Sequence, residues 1–129
     1  MAPEPPQQRL AKHLDIPIVA TTQNAARLGD TVKEIVSQLP EKHLLHDKTL
    51  FSMLTPTVQE ALQPNTSVII VGIETHICVT QTTLDALAAG HKVYVLADGV
   101  SSCNKEERGI ALDRLRAEGA VVTSSESIM

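Results

Sequence analysis

Short runs of β-branched residues alternate with amphipathic stretches along the chain, joined by connections of a few residues. That order predicts an α/β fold: a parallel, doubly wound sheet with helices on both faces. Composition points the same way. Hydrophobic residues make up 43% of the 129, yet there is no Trp, one Tyr (Tyr94) and one Phe (Phe51). A core of Val, Ile, Leu and Ala suits a parallel sheet buried under helices. The third observation is local. Val68 to Val79, VIIVGIETHICV, begins as a buried strand, breaks at Gly72 and reaches Cys78, and an amphipathic segment follows at once.

Each element has its own signal. Met1 to Gln8 carries Pro3, Pro5 and Pro6 and reads as a disordered leader, with one domain over residues 9–129. Arg9 to Leu14 reads as the last turns of a helix, with Leu10, Ala11 and Leu14 on one face. Asp15 and Pro17 end it. Ile16 to Thr21 is apolar and β-branched, hence a buried strand. Thr22 to Gly29 reads as a loop. Asp30 is a suitable N-cap for a helix over Thr31 to Gln38, with Val32, Ile35 and Val36 at helical spacing. Leu44 and Leu45 begin a short segment that runs into His46-Asp47-Lys48. Thr55-Pro56 opens a helix through Leu62, with proline at the first helical position.

Ser67 to Val71 is the strongest strand. A helix over Thr80 to Ala89 closes at Gly90, a left-handed cap. Lys92 to Ala97 is the next strand, and Asp98 to Cys103 a polar loop at its end. Lys105 to Glu118 is a helix with Ile110, Ala111 and Leu115 inward, closed by Gly119. Ala120 to Thr123 is the last strand.

Charge and motif content narrow the function classes. The net charge is −4 without a basic stripe, and aromatic side chains for base stacking are scarce. Nucleic acid and anionic membranes are therefore poor partners. No apolar run reaches the roughly 18 residues of a membrane span. The N-terminus has no apolar signal region. Two cysteines, Cys78 and Cys103, are too few for a disulfide framework, so a reducing cytoplasm is the default. Arg9 and Lys12 leave a mitochondrial address open. No phosphate-binding glycine motif occurs. His43, His46, His76 and His91 are scattered, without HxH or HExxH spacing, so neither a cofactor nor a metal is expected.

In parallel sheets, ligands sit beyond the carboxyl ends of the strands. His46-Asp47-Lys48, Glu74 to Cys78 and Asp98 to Ser102 lie at such ends. Cys78, at a strand-to-helix turn, reads as a nucleophile or as a buried structural cysteine; a helix N-terminus carries partial positive charge that favours a thiolate. Lys48 reads as its electrostatic partner or as a solvated surface lysine. His76 is a candidate base or metal ligand. Glu74 is a candidate for binding a polar substrate group, or a solvent-facing turn residue. Asp98, before Gly99, reads first as a turn residue or cap and second as a site acid. Cys103 reads as an exposed loop thiol, with pairing to Cys78 open.

Taken together, KTLFSML, GIETHICVTQTTLDAL, YVLADGVSS and ALDRLRAEGAVVTSSE resemble the isochorismatase-like (cysteine hydrolase) superfamily over about Leu10 to Ile128. IPIVATTQ and LGDTVKEI place the resemblance nearest to eukaryotic isochorismatase domain-containing proteins. It implies a three-layer α/β/α sandwich with a Rossmann-like parallel sheet, a small-molecule substrate, a homo-oligomer and no cofactor. It also implies hydrolysis of a small amide or imide through a cysteine thioester. By motif match the nucleophile is Cys78 and the triad lysine Lys48. The oxyanion hole falls on the turn of Glu74, Thr75 and Cys78, with a cis peptide implied at Glu74–Thr75.

The sequence departs from the family at two places. The family's catalytic aspartate ends an apolar first strand, and these residues contain no such run; Asp15 and Asp30 stand in the wrong context. Without that central strand, the strands at Ile16 and Ser67 lose their common neighbour, leaving backbone groups unpaired at roughly 1–3 kcal/mol each where buried. The family's C-terminal helix is also expected to be missing after Met129. Either a fragment of a full hydrolase or a shortened protein fits. Impaired hydrolysis is expected; the alternatives are a non-catalytic shortened subunit of the same fold and a redox-responsive thiol protein.

Overall fold

Pro17 has no N–H to give a ladder, and Asp15 adopts a left-handed conformation (φ 54°). The N–H of Ile16 closes the preceding helical turn by donating to the Ala11 carbonyl (2.8 Å). The first strand, β1, therefore starts two residues later than its composition suggests, at Ile18–Gln23. The computed structural model describes residues 11–40 and 43–128. The expected leader, together with Arg9 and Leu10, lies outside them. Of the apolar face expected before β1, Ala11 is buried and Leu14 is exposed.

The chain divides into two compact units, one ending at Leu50 and the other starting at Phe51. In the first, β1 pairs in parallel with β2 (His43–Lys48), from Ile18 opposite His43 to Gln23 opposite Lys48. Two single-turn helices lie between them in sequence, α1 (Ala25–Leu28) and α2 (Lys33–Val36). Both differ from expectation. The predicted loop contains α1 because Asp47, across the ladder on β2, supplies the cap that Asn24 does not. Its carboxylate accepts the Ala25 N–H (2.9 Å) and the Thr22 hydroxyl (2.7 Å). The predicted helix over 31–38 shrinks to α2, and Asp30 does not cap it. Val32 precedes it in extended conformation, and Val32, Ile35 and Val36 are all exposed. A short helix whose apolar stripe is not buried has little to hold it beyond one turn.

In the second unit, three parallel strands run in the order β3 (Ser67–Ile73), β4 (Lys92–Ser101), β5 (Val121–Thr123). Helix α3 (Pro56–Ala61) starts as predicted: Pro56 is in its first turn and the Thr55 hydroxyl accepts the Val58 N–H (3.4 Å). Helix α4 (Thr80–Ala88) precedes β4, and α5 (Lys105–Glu118) precedes β5. The Asn104 side chain caps α5 through the Glu106 N–H, and Gly119 closes it at φ 111°. The chain then turns into α6 (Ser125–Ile128).

The core of this unit joins Ile70 of β3, Val93, Val95 and Val100 of β4, Val79 and Ala86 around α4, and Leu112 and Leu115 of α5. Ile110, expected inward, is 63% exposed. The buried stripe of α5 runs through Ala111, Leu112 and Leu115, and Ile110 falls off its edge.

Strand β4 runs on to Ser101, through residues expected to be loop. Its register against β3 breaks between Ile70–Val95 and Gly72–Val100, so Leu96 to Gly99 stand opposite Val71 alone. Such a bulge frees carbonyls that need donors. Arg108 of α5 provides them, donating to the carbonyls of Ala97 and Val100. Asp98, on the bulge, is engaged by the residues that follow the neighbouring strand β5. Its carboxylate accepts the N–H (2.9 Å) and hydroxyl (3.1 Å) of Ser125 at the start of α6. The cap reading of Asp98 holds.

Leu115, fully buried, and Ile110, exposed, make a matched pair. Leu115→Ala should destabilise the unit by about 2–5 kcal/mol, and Ile110→Ala by no more than about 0.5 kcal/mol, both read by urea unfolding. A second test uses acid. The Ser125 N–H holds the Asp98 carboxyl below its ordinary value, assisted by the Ser125 hydroxyl and the Arg108 charge and opposed by desolvation. A depressed carboxyl contributes stability that is present above its unfolded pKa and lost as pH falls through the folded value. Asp98→Ala should therefore lower Tm at neutral pH and flatten the fall of Tm below pH 4, the region of an unperturbed Asp. Parallel curves for the two proteins would contradict the role of the cap.

Candidate active site

At the end of β3 the chain must turn from extended to helical within two residues. The peptide bond Ile73–Glu74 is cis, one bond before the Glu74–Thr75 position implied by the resemblance. Thr75 already belongs to the helical segment, so the cis geometry lies at the strand's end. Thr75–Val79 forms one π-helical turn, and α4 continues from it without a break. The Glu74 carbonyl accepts two N–H groups, from Ile77 and Val79 (3.1 Å each). Cys78 is half-buried in this turn, and neither Cys78 nor Cys103 is in a disulfide.

The wide turn leaves carbonyls that threonines from the first turn of α4 take up. Thr80 donates to the Thr75 carbonyl (2.7 Å), Thr82 to that of Cys78 (2.6 Å) and Thr83 to that of Val79 (2.7 Å). All three threonines are buried. Hydroxyls that bond back onto the preceding turn normally weaken a helix slightly. Here they anchor the carbonyl of the residue that bears the thiol. Thr82 also accepts the Met53 N–H (2.9 Å), which joins the segment after Leu50 to the turn. Thr75 itself is fully buried, and its hydroxyl has no hydrogen-bond partner among the described residues.

The far end of β4 and the residues after it hold the turn from the other side. The Ser102 hydroxyl oxygen accepts the Thr75 N–H (3.1 Å) and is bonded to His76 Nδ1 (2.9 Å). The other ring nitrogen of His76 is 4.0 Å from the Glu74 carboxylate. Glu74 accepts the Cys103 N–H (2.8 Å). The Cys103 thiol also donates to Glu74. This bond is the chief reason the Glu74 carboxyl sits below its ordinary value; together with the Glu74 charge it pushes the Cys103 thiol up. A thiol held protonated is a poor nucleophile, which argues against Cys103 as a redox partner. Glu74 is thus tied to the turn rather than extended into solvent.

Lys48 lies in the other unit, at the carboxyl end of β2. It is 6% exposed and so is not a solvated surface lysine. Its ammonium donates to Gln23 Oε1 (2.6 Å) and to the Leu50 carbonyl (2.9 Å), and the Gln23 amide donates to the Thr49 carbonyl (2.8 Å). The register that sets Gln23 opposite Lys48 makes this possible. An ammonium held by two acceptors in fixed positions is kept in one direction.

Glu74, Thr75, His76 and Cys78 are therefore brought together, with Cys103 at their edge. Asp98 is engaged with Ser125, and Lys48 is built separately with Gln23. Sequence reasoning gave Ser102 no role beyond its place at a strand end, and it missed Gln23, Arg108 and the threonines at 80, 82 and 83. Only the threonines left a signal, as a polar β-branched run, TQTT, at the head of a helix. Among the described residues no group of His, Cys, Asp and Glu is placed to hold a metal, and no helix is long and apolar enough to cross a membrane.

Comparison with known proteins adds an independent finding. The chain is 47% identical to the secreted isochorismatase effector Isc1 of Phytophthora sojae, across 91% of this chain and 59% of the effector. It is 43% identical to isochorismatase domain-containing protein 2 of Xenopus laevis, across 92% of this chain and 58% of that protein. It spans about three-fifths of the length of these curated relatives. Among solved structures, one described as MAR1 ribonuclease from Caenorhabditis elegans superposes with a TM-score of 0.90 at 40% identity, over 95% of this chain and 66% of that one. Pyrazinamidase of Pyrococcus horikoshii, solved in complex with zinc, superposes with a TM-score of 0.75 at 26% identity, over 92% of this chain and 80% of that one. The sequence pattern of the isochorismatase domain covers residues 8–127, and the chain belongs to the isochorismatase domain family.

Proposed function

We propose that this domain works in the hydrolysis of a non-peptide C–N bond in a small amide or imide, with Cys78 as the nucleophile and Lys48 as its electrostatic partner. The observation that carries the reading is the mounting of Cys78. It is a half-exposed thiol in a helix-opening turn whose backbone is tied down by Thr80, Thr82, Thr83 and Ser102. A preorganised nucleophile beside oriented backbone N–H groups suits acyl transfer. The likeness to a pyrazinamidase, an amidase by its name, supports the same class.

The steps balance as follows. The Cys78 sulfur attacks the substrate carbonyl carbon and a C–S bond forms. The C–N bond then breaks as the nitrogen leaves with a proton. Water attacks the thioester, the C–S bond breaks, and the acid and the thiol are released. The Thr75 N–H is already given to Ser102, so a donor to the developing oxyanion would come from the rest of the turn around Glu74 and Cys78. A group that takes the thiol proton and returns it to the leaving nitrogen is still needed. The apolar run ending in aspartate that serves this purpose in the family is not among these residues. Turnover should accordingly be slow.

A non-catalytic role in a homo-oligomer is the second reading, favoured by the surface of the three-stranded sheet. Ile69 pairs with Tyr94 and Tyr94 with Val121, so all three share one face, and Ile69, Val71, Ile73 and Val121 are exposed on their strands. RNA cleavage, suggested by the description of the Caenorhabditis relative, has less support: net charge −4 offers little to a phosphate backbone.

The deciding assay measures ammonia release from nicotinamide and pyrazinamide, with intact-mass detection of an acyl-enzyme. This chain should turn over pyrazinamide about 10²–10⁴-fold more slowly than the Pyrococcus pyrazinamidase run alongside, the usual contribution of a general acid–base group. Cys78→Ala should abolish both turnover and the adduct, and Lys48→Met should lower acylation by roughly 10²-fold or more. Turnover that survives Cys78→Ala would overturn the assignment. A stable oligomer without any adduct would favour the second reading.

A further inference from the structure

Ser102 closes the Asp98–Ser102 stretch expected at a strand end, without a role of its own there, and it makes the contacts that bind the end of β4 to the Cys78 turn. It is buried, at the residue after β4. One oxygen meets two groups of the turn: the backbone N–H of Thr75 and the Nδ1 of His76. Thr75 is fully buried, so its N–H has no recourse to solvent if Ser102 is removed. The carbonyl of the same residue is already taken by Thr80, so the Thr75 backbone is held at both ends.

The direction of the proton in the second contact follows from charge. The Glu74 carboxylate stands on the Nε2 side of His76, at 4.0 Å, and favours the tautomer that carries hydrogen on Nε2. Nδ1 is then an acceptor. Ser102 donates to it while accepting from Thr75, so both functions of one hydroxyl are used. Glu74 is itself held by the Cys103 N–H, one residue beyond Ser102. Ser102 and Cys103 thus hold the turn at three places: the Thr75 peptide, the His76 ring and the Glu74 carboxylate.

We propose that Ser102 is a positioning residue for Cys78. It fixes the first peptide of the π-turn through Thr75 and fixes the His76 ring beside it, and so keeps the backbone around the thiol in its reactive arrangement. Ser102 touches no reacting atom in this role. The inference rests on the reading of Cys78 as nucleophile, and its test separates the two.

The experiment follows alkylation of Cys78 by iodoacetamide in the full chain from pH 5 to 10, read by peptide mass spectrometry so that Cys103 is scored apart. Ser102→Ala should raise the midpoint of the Cys78 profile and slow alkylation at pH 7 by roughly three- to tenfold, the scale of one hydrogen bond. Ser102→Thr, which keeps the hydroxyl, should return the rate to within about twofold of the unmodified chain. A Cys78 profile unchanged by Ser102→Ala, with a midpoint well below that of an ordinary thiol, would overturn the role of Ser102 and leave the nucleophile in place. An ordinary midpoint of about 8.5 in the unmodified chain would overturn both. Amide exchange in the unmodified chain tests the clamp even if Ser102→Ala fails to fold. The Thr75 N–H should be as protected as that of Val79, and free exchange at Thr75 would overturn the proposal.

Discussion

The second unit is shaped by a constraint on backbone hydrogen bonding at the exit from β3. A strand paired with β4 has to become a helix within two residues, and every N–H and C=O in between needs a partner because Thr75 and Val79 are out of solvent's reach. The chain meets this with side chains. The Glu74 carbonyl takes two N–H groups of the turn, three threonine hydroxyls take the carbonyls of Thr75, Cys78 and Val79, and Ser102 takes the remaining Thr75 N–H. The rest of the unit then supports that solution. Val79 and Ala86 are packed into the core with Val93, Val95 and Leu115. Arg108 covers the carbonyls freed where β4 bulges to bring Ser102 into place.

The same principle operates on a smaller scale in the first unit. Asp47 caps α1 from across a β ladder, and Gln23 and Leu50 supply acceptors for the buried ammonium of Lys48. In both units a group that reads as surface or solvent-facing in sequence is drawn inward by a backbone that lacks a partner. The polar residues near Cys78 and Lys48 therefore have a structural role, and a substitution there acts on the backbone they satisfy.

What was legible in the sequence depended on how local its cause was. The helix at Lys105–Glu118 carries its own cap at Asn104 and its own stop at Gly119, and both bounds emerged as expected. Thr55 and Pro56 start α3 for similarly local reasons. The elements that moved, β1 apart, are those decided at a distance. β1 starts late because Ile16 closes the turn before it, and α1 exists because of a carboxylate more than twenty residues away. β4 runs on past its apolar stretch because its partner strand resumes pairing at Gly72.

The sequence by itself determined the alternation of strands and helices, the parallel α/β class, the family through its motif combination, and the position of Cys78 at a strand-to-helix turn. Those follow from short-range chemistry: side-chain branching, capping residues and the spacing of apolar positions. Tertiary structure alone decided which polar groups serve that turn. It placed Ser102 and Cys103 against Glu74, Thr75 and His76, committed Asp98 to Ser125, and buried Lys48 beside Gln23. Those pairings depend on strand register and on a bulge. Both are set by how whole strands lie against one another, which no local pattern records.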